Sequence, residues 1–131
     1  MKFPWIALGG RVRAPWFRCS LRHGNTAPPS DFFILLDTGA DTTTLPQQLV
    51  ALLGFTDADL DESVTNCVGG QAKVWRPKGT PPNVDIQIGG AWYALPALAF
   101  AEKTPPLLGR DLVFRYFKLR MEDGETELRP K

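Results

Sequence analysis

The segment best suited to chemistry is 37–41, of sequence Asp-Thr-Gly-Ala-Asp, which directly follows the apolar run Phe32–Leu36. That run predicts a strand buried on both faces, and burying a carboxylate costs free energy unless the carboxylate is hydrogen-bonded. Folding alone therefore gives no reason to place Asp37 at the end of the strand. Gly39 would let a ligand or another chain approach closely, and the Thr38 hydroxyl could hold a neighbouring backbone group. The segment is a candidate site for acid–base chemistry.

The alternative is that Asp37 is an ordinary turn residue, because Asp is common where strands end. An Asp-Thr-Gly tripeptide occurs by chance in on the order of a few per cent of chains of this length. Its position directly after a buried apolar strand favours the functional interpretation.

Other patterns of chemical interest are weaker. Asp57, Asp59 and Asp61 alternate as at the start of a calcium loop. Glu62 stands where such a loop needs glycine, and Val68 stands where it needs an acidic ligand. A solvated turn or helix start is the better interpretation. The single histidine lies in a loop rich in Pro and Gly, and the chain has too few His and Cys for a zinc site. The sequence therefore predicts no metal and no cofactor.

The composition is that of an ordinary globular chain. Its 131 residues suit a single domain over residues 1–131, and 44% of them are hydrophobic. The net charge of +1 gives no electrostatic reason to expect nucleic acid as a partner. The longest apolar runs are far too short to cross a membrane. Because no signal peptide is recognised, we expect reduced thiols at Cys19 and Cys67 and a cytoplasmic location.

Twelve Pro and twelve Gly residues divide the chain into short segments, which indicates an all-β fold of short strands. Short helices are predicted over residues 46–53, with Thr44 as the candidate N-cap, and over Arg110–Tyr116. Three hairpins are predicted at turns that contain glycine, namely Gly69-Gly70, Gly89-Gly90 and Asp123-Gly124. Strands are expected over residues 16–22, 32–36, 63–68, 71–76, 84–88, 91–95, 97–100, 117–121 and 125–128.

Two segments make the chain resemble the retropepsin-like aspartic peptidases. Residues 33–41 are similar to the active-site segment of that family, in which an apolar strand leads into Asp-Thr-Gly. Residues 107–111, Leu-Leu-Gly-Arg-Asp, match the family's second signature and lie about 70 residues after Asp37, as the family's layout requires. Between them, Gly69 and Gly70 stand where the family has the hairpin called the flap. The resemblance covers roughly residues 16–128, and the C-terminal hairpin resembles the cellular and bacterial branch.

The resemblance implies a retropepsin-like β-barrel, closed or partly open, that has one or two short helices and acts as a homodimer on peptide or protein substrates. It implies catalytic roles for Asp37, Thr38 and Gly39. It implies substrate contacts at Ala40, Asp41, Val68, Gly69 and Gly70. It implies structural support of the site by Leu107, Leu108, Gly109, Arg110 and Asp111, with Arg110 holding Asp41.

Two carboxylates about 3 Å apart share one proton, so that one accepts a proton from water while the other polarises a carbonyl. The chain has a single Asp-Thr-Gly, so this dyad requires Asp37 from two subunits across a two-fold axis. The predicted function is an aspartic endopeptidase. Two alternatives stay open: a non-catalytic retropepsin-fold module for dimerisation or peptide binding, and an unrelated small β-barrel that carries the tripeptide by coincidence.

Overall fold

The computed structural model describes residues 1–67 and 70–131, and of residue 67 the backbone alone. Strands predominate in these ranges, in agreement with the predicted all-β class, and the helices are short. The elements in chain order are β1 (Lys2–Pro4), β2 (Trp16–His23), β3 (Phe32–Leu36), β4 (Thr44–Pro46), α1 (Leu49–Leu52), a 3-10 turn (Asp57–Asp59), β5 (Leu60–Cys67), β6 (Gly70–Pro77), β7 (Val84–Ile88), β8 (Ala91–Ala94), β9 (Ala99–Ala101), β10 (Leu107–Leu108), α2 (Arg110–Tyr116), β11 (Phe117–Glu122) and β12 (Glu125–Pro130).

The described strands form two sheets. The larger sheet has the order β5-β6-β9-β4-β10-β3-β2-β7-β8, and the smaller has the order β1-β12-β11. Across residues 1–67 and 70–131 no ladder joins β5 to β8, so the larger sheet is open and the closed form of the predicted barrel is not seen. The smaller sheet pairs the first strand with the C-terminal hairpin, with Lys2 opposite Glu127.

Strand β3 lies inside the larger sheet, antiparallel to β2 and parallel to β10. Its side chains alternate, since Ile34 and Leu36 are 0% and 5% exposed, whereas Phe33 is 37% exposed. The prediction that both faces of this strand are buried is therefore wrong. Successive side chains of a strand point to opposite faces, and only the face of Ile34 and Leu36 packs fully on the core.

The first predicted helix is much shorter than expected. Residues 44–46 form β4, which pairs in parallel with β9 and places Leu45 opposite Phe100. Leu45 is completely buried there, so the tertiary ladder outweighs the local helix signals of Pro46. The α-helix is confined to Leu49–Leu52, and Gln48 occupies its N-cap position in place of the predicted Thr44. The second helix, Arg110–Tyr116, has the predicted bounds.

The three predicted hairpins are present as strand pairs. The ladder between β5 and β6 runs from Leu60 opposite Pro77 to Cys67 opposite Gly70. Gly70 therefore belongs to the strand β6, and Gly69 of the predicted turn lies, with Val68, outside the described residues. Gly89 and Gly90 join β7 to β8 with φ of 61° and 88°. Positive φ at both positions is what a two-residue hairpin turn requires.

The hydrophobic core joins the larger sheet to α2 and to the smaller sheet. Its largest buried side chains are Phe17, Phe100 and Phe117. The completely buried polar side chains are Thr43 and Thr126 within the described ranges. No helix of residues 1–67 and 70–131 has the length and apolar character that crossing a bilayer demands.

Candidate active site

Asp37 is the first residue after β3, and hydrogen bonds within the loop fix its position. Its N–H donates to the Leu108 carbonyl at 3.0 Å, which extends the parallel pairing of β3 with β10. The Ala40 N–H donates to the Asp37 carbonyl at 3.1 Å, and the Gly39 N–H donates to Asp37 Oδ1 at 2.9 Å. One oxygen of this half-buried carboxylate is thus held by the turn. The second oxygen takes no part in the turn.

The outer side of the turn is open. Thr38 and Gly39 are both exposed. A Cβ atom at position 39 would lie 3.1 Å from Asp37 Oδ1, which is tighter than ordinary van der Waals contact. A side chain at position 39 would therefore press on the carboxylate, which explains why the turn carries glycine between Thr38 and Ala40.

Leu107 and Leu108 form β10, directly beside the strand that carries Asp37. Leu108 is completely buried. Just beyond β10, the Arg110 N–H donates to the Ala40 carbonyl at 2.9 Å. The loop that begins at Asp37 is therefore tied to the segment 107–111 at both of its ends, as the two motifs led us to expect.

Gly109 lies against the backbone of the segment that leads into β4. A Cβ atom on Gly109 would lie 2.6 Å from the Thr42 carbonyl carbon, 2.7 Å from the Thr43 nitrogen and 2.9 Å from Asp111 Oδ1. Its φ of −86° is accessible to other residues, so the requirement for glycine is steric. Any larger residue must separate α2 from the loop that leads out of the Asp37 turn.

Thr43 connects these segments and was missed by the sequence analysis. It is completely buried. Its N–H and its hydroxyl each donate to Asp111 Oδ1 at 3.1 Å, and its hydroxyl accepts from the Gly109 N–H at 3.1 Å. The only signal for it in the sequence is the run of three threonines at 42–44, whose β-branched side chains favour extended backbone.

Asp111 lies in the first turn of α2 and is half-buried. Burial raises the pKa of Asp111, while hydrogen bonds from the Leu112 backbone and from Thr43 oppose that rise. Its second oxygen, Oδ2, is buried without a hydrogen-bond partner in the described part of the chain. The carboxylate of Asp111 therefore holds Thr43 in place, while the burial of its unpartnered oxygen costs free energy.

Arg110 pairs with Asp41, as the sequence predicted, through Arg110 Nη2 and Asp41 Oδ1. The two side chains are 48% and 81% exposed, and an exposed ion pair contributes only about 0–1 kcal/mol to stability. Its effect is therefore to orient the Asp41 carboxylate at the edge of the site.

A cleft of about 520 Å³ opens beside this loop. The segments 40–42 and 102–104 both line it. The hairpin β5–β6 contributes Thr65, Ala72, Val74 and Arg76. Trp75, which alternates with these residues, instead packs against the main core. The hairpin in the position of the flap thus presents one face of β6 to a space that could hold an extended peptide.

A model of the family described as aspartyl protease matches residues 30–112, a range that contains both the Asp37 turn and the segment 107–111. The chain belongs to the aspartyl protease family. A search of curated proteins found no match for this aspartyl protease.

The fold of the chain is retropepsin-like. A solved structure described as a retropepsin-like aspartic protease from Rickettsia conorii superimposes with a TM-score of 0.65 and 17% sequence identity. The match covers 96% of this chain and 97% of the other. At that identity the likeness shows the fold alone.

The other residues considered from the sequence lie apart from the Asp37 turn. His23 Nδ1 is 2.9 Å from the Leu53 carbonyl oxygen, and its ring stacks on Phe55 at 4.1 Å. Asp59 accepts hydrogen bonds from the Thr56 N–H and hydroxyl, which lower its pKa. In the described ranges no three His, Cys, Asp or Glu side chains gather as metal ligands.

Proposed function

We propose that this aspartyl protease is an endopeptidase that works as a homodimer, with Asp37 of two copies forming the catalytic dyad. The observation that carries the proposal is the Asp37 carboxylate at the end of a core strand, with one oxygen held by the Gly39 N–H. The chain has a single Asp-Thr-Gly, so a two-carboxylate mechanism needs a second copy. In this proposal residues 1–131 act as a single domain.

The dyad performs general acid–base catalysis on a water molecule. The ionised carboxylate accepts a proton from the water as the water attacks the scissile carbonyl, and the protonated carboxylate donates to the carbonyl oxygen. Neither step belongs to one subunit, because the pair titrates as a unit. The mechanism gives no role to a metal or a cofactor.

The neighbouring residues align the substrate. Thr38 and Gly39 lie at the open side of the turn, where the second subunit and the peptide backbone would approach. Ala40 and Asp41 line the cleft, so that their backbone and carboxylate would contact a bound peptide. We assign substrate contacts also to Val68, Gly69 and Gly70, which by resemblance to the family's flap would close over the peptide and exclude water. The segment 107–111 supports the floor beneath Asp37.

The test is hydrolysis of a mixed peptide library by the wild-type chain and by Asp37→Asn over a dilution series. Asn has nearly the shape of Asp but cannot take part in the proton transfer, so cleavage should be lost. Wild-type specific activity should fall on dilution as the dimer dissociates. The matched control is Asp123→Asn, in the exposed turn between β11 and β12, which should cleave as the wild type does.

Equal cleavage by wild type and Asp37→Asn would refute the dyad. Specific activity that does not change with dilution, in a sample shown to be monomeric, would refute the two-subunit site. Absence of cleavage by a dimeric wild-type sample would favour a peptide-binding module that keeps the fold without the chemistry.

A further inference from the structure

Three of the residues that line the cleft have small apolar side chains. Val74, Ala99 and Ala101 form a separate apolar cluster and are 5%, 3% and 8% exposed. Because these residues are short, they leave a space of about 520 Å³ above them. That volume lies in the range of about 300–1,000 Å³ typical of ligand sites. The cleft is therefore deep enough to take a substrate side chain.

The two anionic side chains on the cleft walls already have partners. Asp41 pairs with Arg110. Glu102 Oε1 accepts from the Lys73 N–H at 3.1 Å, which ties the cleft wall to β6. Both carboxylates thus have a donor supplied by the chain itself.

The two cationic side chains on the walls lack a carboxylate partner. Arg76 Nη1 donates to the neutral Ser63 hydroxyl at 3.2 Å. Neither Arg76 nor Lys103 forms an ion pair within residues 1–67 and 70–131. Among the residues that line the cleft, the cations Arg76 and Lys103 balance the anions Asp41 and Glu102, and the Asp41 charge is already paired with Arg110.

Lys103 adds an independent observation. Its backbone φ is 56°, in the left-handed region that residues with a long side chain seldom occupy. Such conformations persist only where the surrounding structure holds them, and they cluster where ligands are bound. Here the strained residue is a lysine that lines the cleft.

We propose that the cleft binds an acidic side chain of the substrate, and that Arg76 and Lys103 determine this specificity. The inference rests on the proposed function in that it requires a peptide in the cleft. A glutamate or aspartate carboxylate would complete the pairing of both cations. The small side chains of Val74, Ala99 and Ala101 would accommodate its methylene groups.

The experiment uses one extended peptide with Glu, Gln or Lys placed at each position in turn. Cleavage by the wild-type chain gives kcat/KM, and fluorescence anisotropy with Asp37→Asn gives affinity without turnover. At one position we expect Glu to exceed Gln about fivefold in both readouts, because each of two partly exposed ion pairs contributes a factor of a few. The preference should shrink at high salt.

The variants Arg76→Gln and Lys103→Gln should each reduce the Glu-to-Gln ratio to about twofold, and the double variant should remove it. The matched control is Lys118→Gln, an exposed cation on β11 outside the cleft, which should leave the ratio unchanged. A ratio of one in the wild type, or a preference for Lys, would overturn the inference. So would a Glu preference that survives in the double variant.

Different outcomes refute the proposed peptidase chemistry and the proposed acidic specificity. Glu-selective binding by Asp37→Asn without any cleavage by the wild type would refute the proposed chemistry and support the acidic specificity. Cleavage without charge selectivity would support the chemistry and refute the specificity. Absence of binding by every peptide would overturn the inference.

Discussion

Replacing Thr43 with valine tests whether the buried network below the Asp37 turn positions the site. Valine keeps the shape of threonine and deletes the hydroxyl. That hydroxyl donates to Asp111 Oδ1 and accepts from the Gly109 N–H, each at 3.1 Å. The Thr43 N–H to Asp111 bond, also 3.1 Å, is left in place. The substitution therefore removes two of the three hydrogen bonds of the network without opening a cavity.

The expected loss of stability follows from the burial. Gly109 is buried, so its N–H would lose its partner in a position that water does not reach, at a cost of about 1–3 kcal/mol. Asp111, which already has one unpartnered oxygen, would also lose one of its two Thr43 donors. We expect the free energy of unfolding to fall by about 2–4 kcal/mol.

Thr126→Val is the matched control. Thr126 is as completely buried as Thr43, and its hydroxyl accepts from the Trp5 Nε1–H at 2.9 Å. It lies in β12, in the smaller sheet, so its loss should lower stability by about 1–2 kcal/mol without disturbing the Asp37 turn.

The assay pairs urea denaturation with cleavage measured at a temperature where both variants stay folded. Thr126→Val should keep wild-type kcat/KM per folded molecule. Thr43→Val should lose about 10-fold to 100-fold in kcat/KM, because a small displacement of a catalytic group is costly to rate. If Thr43→Val and Thr126→Val lowered stability equally and both kept full kcat/KM, the idea that this network positions the site would be refuted.

Two further predictions concern the same region. Gly109→Ala should destabilise the chain by about 3 kcal/mol in urea denaturation, because its Cβ meets backbone atoms at 2.6 and 2.7 Å. Gly79→Ala, whose Cβ would have ordinary contact at 3.7 Å, should change stability by less than about 0.5 kcal/mol, and a similar small change for Gly109→Ala would contradict the steric argument. Burial raises the pKa of Asp111, so the stability of the wild type relative to Asp111→Asn should be highest below about pH 4 and should decline as pH rises through the folded-state pKa. A difference that grows from pH 4 to pH 7 in urea titrations would contradict that sign.

Local signals predicted the elements whose structure is decided locally. Two consecutive glycines favour a tight hairpin turn whatever the surrounding fold. Gly89 and Gly90 both have the positive φ that a type I′ turn needs. The helix Arg110–Tyr116 likewise follows directly from its own sequence pattern. The helix predicted over residues 46–53 is wrong at its start, because Leu45 and Pro46 form part of β4. Strand β9, with which β4 pairs, lies more than 50 residues away in the chain.

The sequence revealed the part of the candidate site in which a residue type is difficult to explain by folding alone. Asp37 is an ionisable residue directly after an apolar strand, which marks it in the sequence, although Asp is also common at strand ends and its Oδ1 accepts from the Gly39 N–H within the turn. The contact between Asp41 and Arg110 could be expected because both residues belong to recognisable motifs, and the structure brings them together.

Thr43 could not be found in the same way, because a threonine in an extended segment is an ordinary feature of a sequence. Its role depends on Gly109 and Asp111, which are 66 and 68 residues away in the chain. The same holds for the cleft, whose cations come from β6 and from the segment 102–104. A motif identifies candidate reacting residues because these are close together in the chain. The residues that position them or contact the substrate come from strands that meet only in the folded sheet. If Arg76 and Lys103 select the substrate, specificity can change in this aspartyl protease without any change in the motif around Asp37.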